Sequence, residues 1–333
     1  MRAPSPEILA ELERHAPGRL RTGVDMSTLG RWQIGGIADA VFTPETPEEV
    51  SAGLGLLHES GTRHVVIGEG SNLLFDDNGY RGVLVVVGPA MSAFRADPET
   101  GLVEAEAGLW VPYFVLKTIR AGLQGNVHAA GIPGTLGGLV VMNGGSQRKG
   151  IGDQLVDVKV VEKDGRMSTL TRDDCAFSYR RSALQDRGAT VVSARFRYEK
   201  GDTQEMRREA IAILAERRGK FPRTQPNCGS VFLSNPALYA TLGPPGRAIE
   251  ETGLKGTGRG GARISPRHAN FIVNEGGARS EDVLHLIALA RARVAERTGI
   301  AMDCEVRHLP PEGTLRPAHL SAIDLSSPRA RSA

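Results

Sequence analysis

The sequence predicts an α+β protein of more than one domain, and three observations carry that expectation. Capped amphipathic stretches alternate with β-branched runs over residues 1–88, residues 89–203 are rich in strand patterns, and helical spacing returns from residue 204. A chain of 333 residues that is 40% hydrophobic can bury a large core and exceeds the usual size of a single domain.

The first region begins with Ile8, Leu9 and Leu12 set among Glu11, Glu13 and Arg14 behind Pro4 and Pro6, the pattern of a short peripheral amphipathic helix. In residues 32–42 the Gly35-Gly36 break precedes a strand. Thr46-Pro47-Glu48-Glu49 is a capping box with proline at the first helical position, and Val50, Leu54 and Leu57 form its buried stripe. Val65-Val66-Ile67 predicts a strand that opens directly into Gly68-Glu69-Gly70-Ser71-Asn72-Leu73-Leu74, and residues 82–87 form a nearly continuous apolar strand. The expected order for residues 1–88 is β-α-β-β.

In the middle region, residues 102–107 alternate as a half-buried strand, and residues 111–121 read as a helix closed by Gly122. The glycine-rich stretch Gly131-Ile132-Pro133-Gly134-Thr135-Leu136-Gly137-Gly138 follows and runs on to Asn143-Gly144-Gly145. Asp164-Gly165 between residues 156–161 and 167–170 is a hairpin signal, and residues 190–198 supply another strand. Phe177-Ser178-Tyr179-Arg180-Arg181-Ser182 lies in a connecting loop.

From residue 204, Met206, Ala210, Ile213 and Leu214 share one helical face, with Arg207, Arg208, Arg217 and Arg218 expected on a solvated basic face. Residues 227–232 break into a strand. The run from Gly256 to Gly261 has the glycines of a dinucleotide fingerprint but no strand before it, so it is not read as one. Ser280 is expected to cap a long helix ending at Gly299, and residues 303–307 to form a short strand. Residues 204–310 make the third domain, and residues 311–333, rich in Pro, Ser and Ala, are expected to be a disordered tail.

Glycines at the density of residues 131–138 remove side chains where backbone N–H groups could close on an anion, with Thr135 and Asn143 adding polar reach. A strand opening into the 68–74 segment has the same property. Two such loops suit a pyrophosphate, while either one alone could equally be a tight turn. A formal net charge of +3 is too small to argue for nucleic acid. Three scattered cysteines without a Cys-x-x-Cys disfavour disulfides and a metal site and fit a reducing cytoplasm. No segment approaches the roughly 20 apolar residues of a membrane span, so no membrane insertion is expected. There is no Gly-x-x-x-x-Gly-Lys-Ser/Thr loop and no His-Glu-x-x-His.

Ile34-Gly35-Gly36, the 68–74 segment, the 131–138 segment with Asn143-Gly144, Tyr179-Arg180-Arg181-Ser182, Gly229-Ser230-Val231-Phe232, Gly253-Leu254-Lys255-Gly256, His268-Ala269-Asn270-Phe271-Ile272 and Glu305-Val306-Arg307 resemble, in this order, the UDP-N-acetylenolpyruvoylglucosamine reductase family. The resemblance runs from about residue 24 to 309, and the interval between Arg180 and Ser230 is similar to the type II branch. It implies non-covalent FAD held by two subdomains (1–88 and 89–203) of the vanillyl-alcohol-oxidase type, with a C-terminal α+β domain (204–310) for the UDP-sugar.

The family likeness further implies NADPH as co-substrate and reduction of UDP-N-acetylglucosamine enolpyruvate by a cytoplasmic monomer. The catalytic residues it implies are Arg180 for the enolate carboxylate, Ser230 as proton donor and Glu305 as a second donor. Cofactor contacts are expected from Gly68, Glu69, Gly70, Ser71, Asn72, Gly131, Ile132, Pro133, Gly134, Thr135, Gly137, Gly138 and Asn143. Substrate contacts are expected from Tyr179, Asn235, Lys255 and His268.

The chain departs from the family pattern at Arg31-Trp32-Gln33, where a cofactor contact moves to Arg31, at residues 122–128, and at Phe232-Leu233-Ser234-Asn235-Pro236, where a lysine is lost and a residue gained. A flavin oxidase on the same scaffold and a silent nucleotide-sugar binder are the competing functions. If the segment through Ser230 is a strand, Cys228 shares its face and is a rival proton donor.

Overall fold

The computed structural model describes residues 2–326. The chain forms two compact units, each assembled from segments distant in sequence. One comprises the chain up to Thr22, Ala40–Glu69 and Gly82–Arg217, and the other Gly23–Asp39, Gly70–Arg81 and the chain from Arg218 onward. The expected divisions at 88/89 and 203/204 are not the divisions of packing. One apolar core takes Leu12, Phe42, Val50 and Leu54 together with Val103, Phe114, Val158 and Phe196, so residues on both sides of 88 bury the same surface. The helix Thr203–Lys220 runs through the second expected division.

The first unit is built on an antiparallel five-stranded sheet in the order Met167–Thr171, Leu155–Val161, Thr190–Arg197, Leu102–Glu106, Phe94–Asp97. Its hairpin pairs Met167 with Val161, and Gly165 turns it with φ 85°, a left-handed value that glycine adopts without strain. The helix Val111–Arg120 buries Phe114, Val115 and Ile119, with the Phe114 ring 5.2 Å from that of Phe196. In the helix Pro47–Glu59 the Thr46 hydroxyl accepts from Glu49 N at 3.1 Å, and Val50, Leu54 and Leu57 are buried as the spacing predicts. The returning bond of the capping box goes one residue further, from Glu45 N to the Glu49 carboxylate at 2.7 Å. His64–Ile67 pairs in parallel with Tyr80–Val86, Val66 opposite Val85. The sequence reading missed the strand Leu20–Asp25, whose polar residues lack a buried-strand pattern.

The second unit is organised by the helix Ser280–Thr298, which buries Val283, Leu286, Ile287, Ala290 and Val294 and ends at Gly299 with φ 70°. Ser280 is its first residue and not its cap: both its N–H and its hydroxyl donate to Asp77 Oδ2 at 2.7 Å. The glycine run at 256–261 forms the hairpin of Gly258–Arg259 with Ala262–Ile264.

A three-stranded sheet runs in the order Arg316–Pro317, Arg307–Leu309, Leu73–Phe75. The strand expected at 303–307 is therefore shifted to Arg307–Leu309, with Cys304 bridged singly to Phe232. The expected disorder of the tail is overturned for residues 311–326. Arg316–Pro317 is a strand and Ala318–Ser326 a helix, with Ala318 and Ala322 fully buried in an apolar core with Val283, Ile287 and Val306. Composition misleads here because small residues bury little area alone yet let a helix lie close against its neighbour. Residues 327–333 of that expectation lie outside the described residues. Among the described residues no helix is long and apolar enough to cross a membrane, and no group of His, Cys, Asp and Glu is placed to hold a metal.

Candidate active site

In the first unit the two glycine segments meet. Gly68 continues from the strand His64–Ile67, and a Cβ there would overlap the Thr135 hydroxyl. Thr135 is buried and caps the helix Leu136–Val141, accepting from Gly138 N at 3.4 Å. The 131–138 segment is thus half turn and half helix. Its helical amides are spent on protein, since Leu136 N donates to Leu109 O and Gly137 N to Ala107 O, both at 2.8 Å. This corrects the expectation for Gly137: its backbone is not left-handed, and a Cβ would stand 2.9 Å from that of Ala107, so the glycine serves packing.

The turn half of the segment is 131–135, where Gly131 and Gly134 have φ 77° and 118°, values that glycine adopts without strain. Gly134 O accepts from Val111 N at 3.0 Å, Ile132 packs on the core, and Pro133 between them is half-buried. Leu214 and Arg217 lie over Gly131, Arg217 Nε being 3.2 Å from where a Cβ would sit. Burial lowers the Arg217 pKa. Arg207, Arg208 and Arg218 are exposed as expected, but Arg217 is not on a solvated face. Its spacing from Ile213 and Leu214 was the available signal, because i+3 and i+4 place it on the buried stripe.

Asn143, expected to reach a ligand, uses its amide on backbone. Nδ2 donates to Ser178 O at 2.8 Å and Oδ1 accepts from Gly152 N at 3.0 Å. It thereby holds the tight turn 178–181, where Ser178 and Arg181 exchange N–H···O bonds of 3.0 and 3.1 Å. Arg180 sits in that turn at φ 55°, an uncommon conformation for a residue with a Cβ, and its Nη2 donates to Gly145 O at 2.7 Å. The Tyr179 ring, 59% exposed, lies 5.5 Å from the guanidinium carbon. Ser182 Oγ and Gln185 Nε2 anchor the turn on Val141 O at 2.6 and 3.1 Å. Arg180 is therefore carried by the end of the same helix that Thr135 caps.

In the second unit, Gly70 has φ 59° and a Cβ would stand 2.6 Å from Leu29 O. Ser71 and, in the first unit, Glu69 are half-buried. Asn72 is turned inward. Its Nδ2 donates to Glu305 O at 3.0 Å, and its carbonyl accepts from Arg307 N at 3.0 Å. Ser230 lies between Gly229, at φ 79°, and Val231. Val231 N donates to Asn270 O and Val231 O accepts from Glu305 N, each at 2.8 Å, so Ser230 and Glu305 flank one backbone contact. Asn270, which sequence reasoning did not single out, brackets Phe232, accepting from its N at 2.9 Å and donating to its O at 3.0 Å.

The shared strand face of Cys228 and Ser230 does not form, because the left-handed Gly229 breaks the alternation. The Cys228 thiol donates to Leu73 O at 3.3 Å, and burial pushes its pKa up to about 12. Asn235 caps the helix Pro236–Thr241, accepting from Ala237 N at 2.9 Å, and Lys255 pairs with Glu250 at 2.7 Å. The His268 ring lies 5.2 Å from Phe221 and 5.1 Å from Phe271. Burial, then the charges of Lys220 and Lys255, lower its pKa. Arg31 is exposed, while Trp32 beside it is buried and donates Nε1 to Ile272 O at 2.8 Å.

A family model described as an FAD binding domain matches residues 38–171, and one described as the C-terminal domain of UDP-N-acetylenolpyruvoylglucosamine reductase matches residues 221–309. UDP-N-acetylenolpyruvoylglucosamine reductase 1 of Corynebacterium glutamicum is 44% identical over 90% of this chain and 89% of its own length. The chain belongs to the UDP-N-acetylenolpyruvoylglucosamine reductase family. The reductase of Synechococcus sp. (strain CC9605) is 40% identical over 86% of this chain and 94% of its own. The crystal structure of the reductase from Thermus caldophilus superposes with a TM-score of 0.73 at 31% identity, covering 87% of this chain and all of that one. The chain is accordingly an FAD-dependent oxidoreductase of the reductase family, with an FAD-binding domain followed by the family's C-terminal domain. The FAD-binding model spans both glycine segments, at 68–74 and 131–138. Residues 310–326 lie beyond the family's C-terminal domain.

Proposed function

We propose that this chain reduces UDP-N-acetylglucosamine enolpyruvate to UDP-N-acetylmuramate with NADPH, as a cytoplasmic monomer supplying a peptidoglycan precursor. The observation that supports the reading is the 2.8 Å bond from Glu305 N to Val231 O, which joins the segment of Ser230 to that of Glu305. Bound FAD supplies the two-electron relay from NADPH to the enolpyruvyl ether. The turns at 68–71 and 131–135 would hold its pyrophosphate.

Hydride arriving at the methylene carbon leaves negative charge on the adjacent carbon and its carboxylate. Arg180, whose Nη2 is held by Gly145 O, would meet the carboxylate oxygens as a permanently charged donor. Glu305 in its protonated form donates to the same enolate. Ser230 gives its proton to the carbanion and is reprotonated from water. Lys255 and His268 bind the UDP-sugar, with Tyr179 and Asn235 as further contacts.

The test begins with the visible spectrum of the purified protein, which should show bound flavin. NADPH-reduced enzyme is then mixed with UDP-N-acetylglucosamine enolpyruvate or with oxygen in separate stopped-flow runs. Rapid flavin reoxidation by the UDP-sugar and slow reoxidation by oxygen are expected. The reverse preference identifies an oxidase, and a colourless protein that binds the UDP-sugar without turnover identifies a silent binder.

A further inference from the structure

We propose that residues 310–326 are a clamp that fixes the position of Glu305, with His319 as a positioning residue. The inference rests on the role proposed for Glu305. That residue's own backbone groups are taken by Val231 O and by Asn72 Nδ2. The residues around it pair with Leu73–Phe75 on one side and bond to the C-terminal segment on the other. Cys304 N donates to His319 Nδ1 at 2.9 Å, and Val306 O accepts from Ala318 N at 3.0 Å. Arg307 Nη2 donates to Leu315 O at 3.0 Å, and His308 Nδ1 meets Ser321 Oγ at 2.7 Å.

The packing agrees with the hydrogen bonds. Ala318 and Ala322 are fully buried in the core that also takes Cys304 and Val306, and alanine at those positions lets the helix lie close against the segment. Cys304 N and Val306 O belong to buried residues and find their partners in the C-terminal segment, so the clamp and the Glu305 segment order one another. His319 can accept from Cys304 N only through an unprotonated Nδ1, which puts its single ring proton on Nε2, 3.4 Å from Asp303 Oδ1. A carboxyl that must meet a substrate oxygen within hydrogen-bond reach tolerates little displacement, and a misplacement of about 1 Å can cost on the order of a hundredfold.

The experiment compares His319→Leu, His319→Asn and Glu305→Gln in the full-length holoenzyme. Asparagine can place Oδ1 where the imidazole has Nδ1, so it keeps the acceptor that leucine removes. His319→Leu should bind FAD and be reduced by NADPH at the wild-type rate, while single-turnover reduction of the UDP-sugar slows about ten- to a hundredfold. His319→Asn should recover most of that loss. Unchanged UDP-sugar reduction in His319→Leu, or equal loss in both half-reactions without rescue by asparagine, overturns the clamp. If His319→Leu does not fold, Ser321→Ala removes one hydroxyl only and should show the same split to a smaller degree. Wild-type behaviour of Ser321→Ala in both half-reactions would then overturn the proposal. Wild-type reduction by Glu305→Gln would instead remove the role proposed for Glu305, whereas an impaired Glu305→Gln beside an unimpaired His319→Leu removes the clamp alone.

Discussion

The side-chain amide of Asn72 donates to the backbone carbonyl of Glu305 at 3.0 Å, across more than 230 residues of sequence. A segment whose glycines read as a cofactor loop thus also tethers the segment of a proposed catalytic acid. Asn72→Ala leaves that carbonyl without its donor, at a cost of about 1–3 kcal/mol if it stays buried. The expected result is a lowered Tm and slower UDP-sugar reduction with an unchanged NADPH half-reaction. Loss confined to FAD binding would show instead that the amide serves the cofactor.

Ser230→Ala should leave flavin reduction by NADPH intact and suppress UDP-sugar reduction by about 10²–10⁴-fold, the range of a positioned acid. Cys228→Ala should stay active. The buried thiol, with its pKa pushed up to about 12, should also resist alkylation at pH 8 until the protein unfolds. Fast labelling of native protein at Cys228 would contradict its assignment to packing.

Two neighbouring glycines are expected to fail differently. At Gly137 a valine meets Ala107, so overpacking of about 1–3 kcal/mol and a lower Tm should precede any loss of flavin. At Gly138 the nearest atom to a new Cβ is Thr135 Oγ1 at 3.5 Å, an ordinary contact. Gly138→Ala should therefore keep its Tm, and a colourless but folded Gly138→Ala protein is the expected sign that the cofactor approaches the backbone there. Full flavin occupancy would place the cofactor away from that backbone.

Stability should fall on the acid side of neutrality. Burial lowers the pKa values of His64, His128, His268 and His319 from the ordinary value of 6.5. Between each lowered value and 6.5 the unfolded chain binds more protons than the folded one, so stability rises with pH through that window. The contribution is fully present above about 6.5 and is lost as pH falls through the lowered values. Thermal melts from pH 8 to pH 5 should show Tm constant at first and then falling. A flat profile would mean that these imidazoles are not held neutral by the fold.

Local periodicity and turn chemistry were enough for the elements that make their own case. The Asp164-Gly165 hairpin, the Pro47–Glu59 helix with its Thr46 cap and the helix ending at Gly299 each depend on residues within a few positions of one another. The ordered motifs likewise carried the family, because glycine turns and their neighbours are strung along the chain in a fixed order.

What only the tertiary structure decided is where polar side chains spend their hydrogen bonds. Asn72 and Asn143 bracket backbone, Gly137 makes room for Ala107, Arg217 covers Gly131, and the 310–326 segment is ordered by the residues around Glu305. A polar group takes whichever partner folding brings within about 3 Å, and a short helix is stable only against the surface it covers. Neither partner nor surface is local in sequence. Spacing along the chain therefore determined which segments turn, pair or coil, and long-range packing determined which of their side chains remain to meet a ligand.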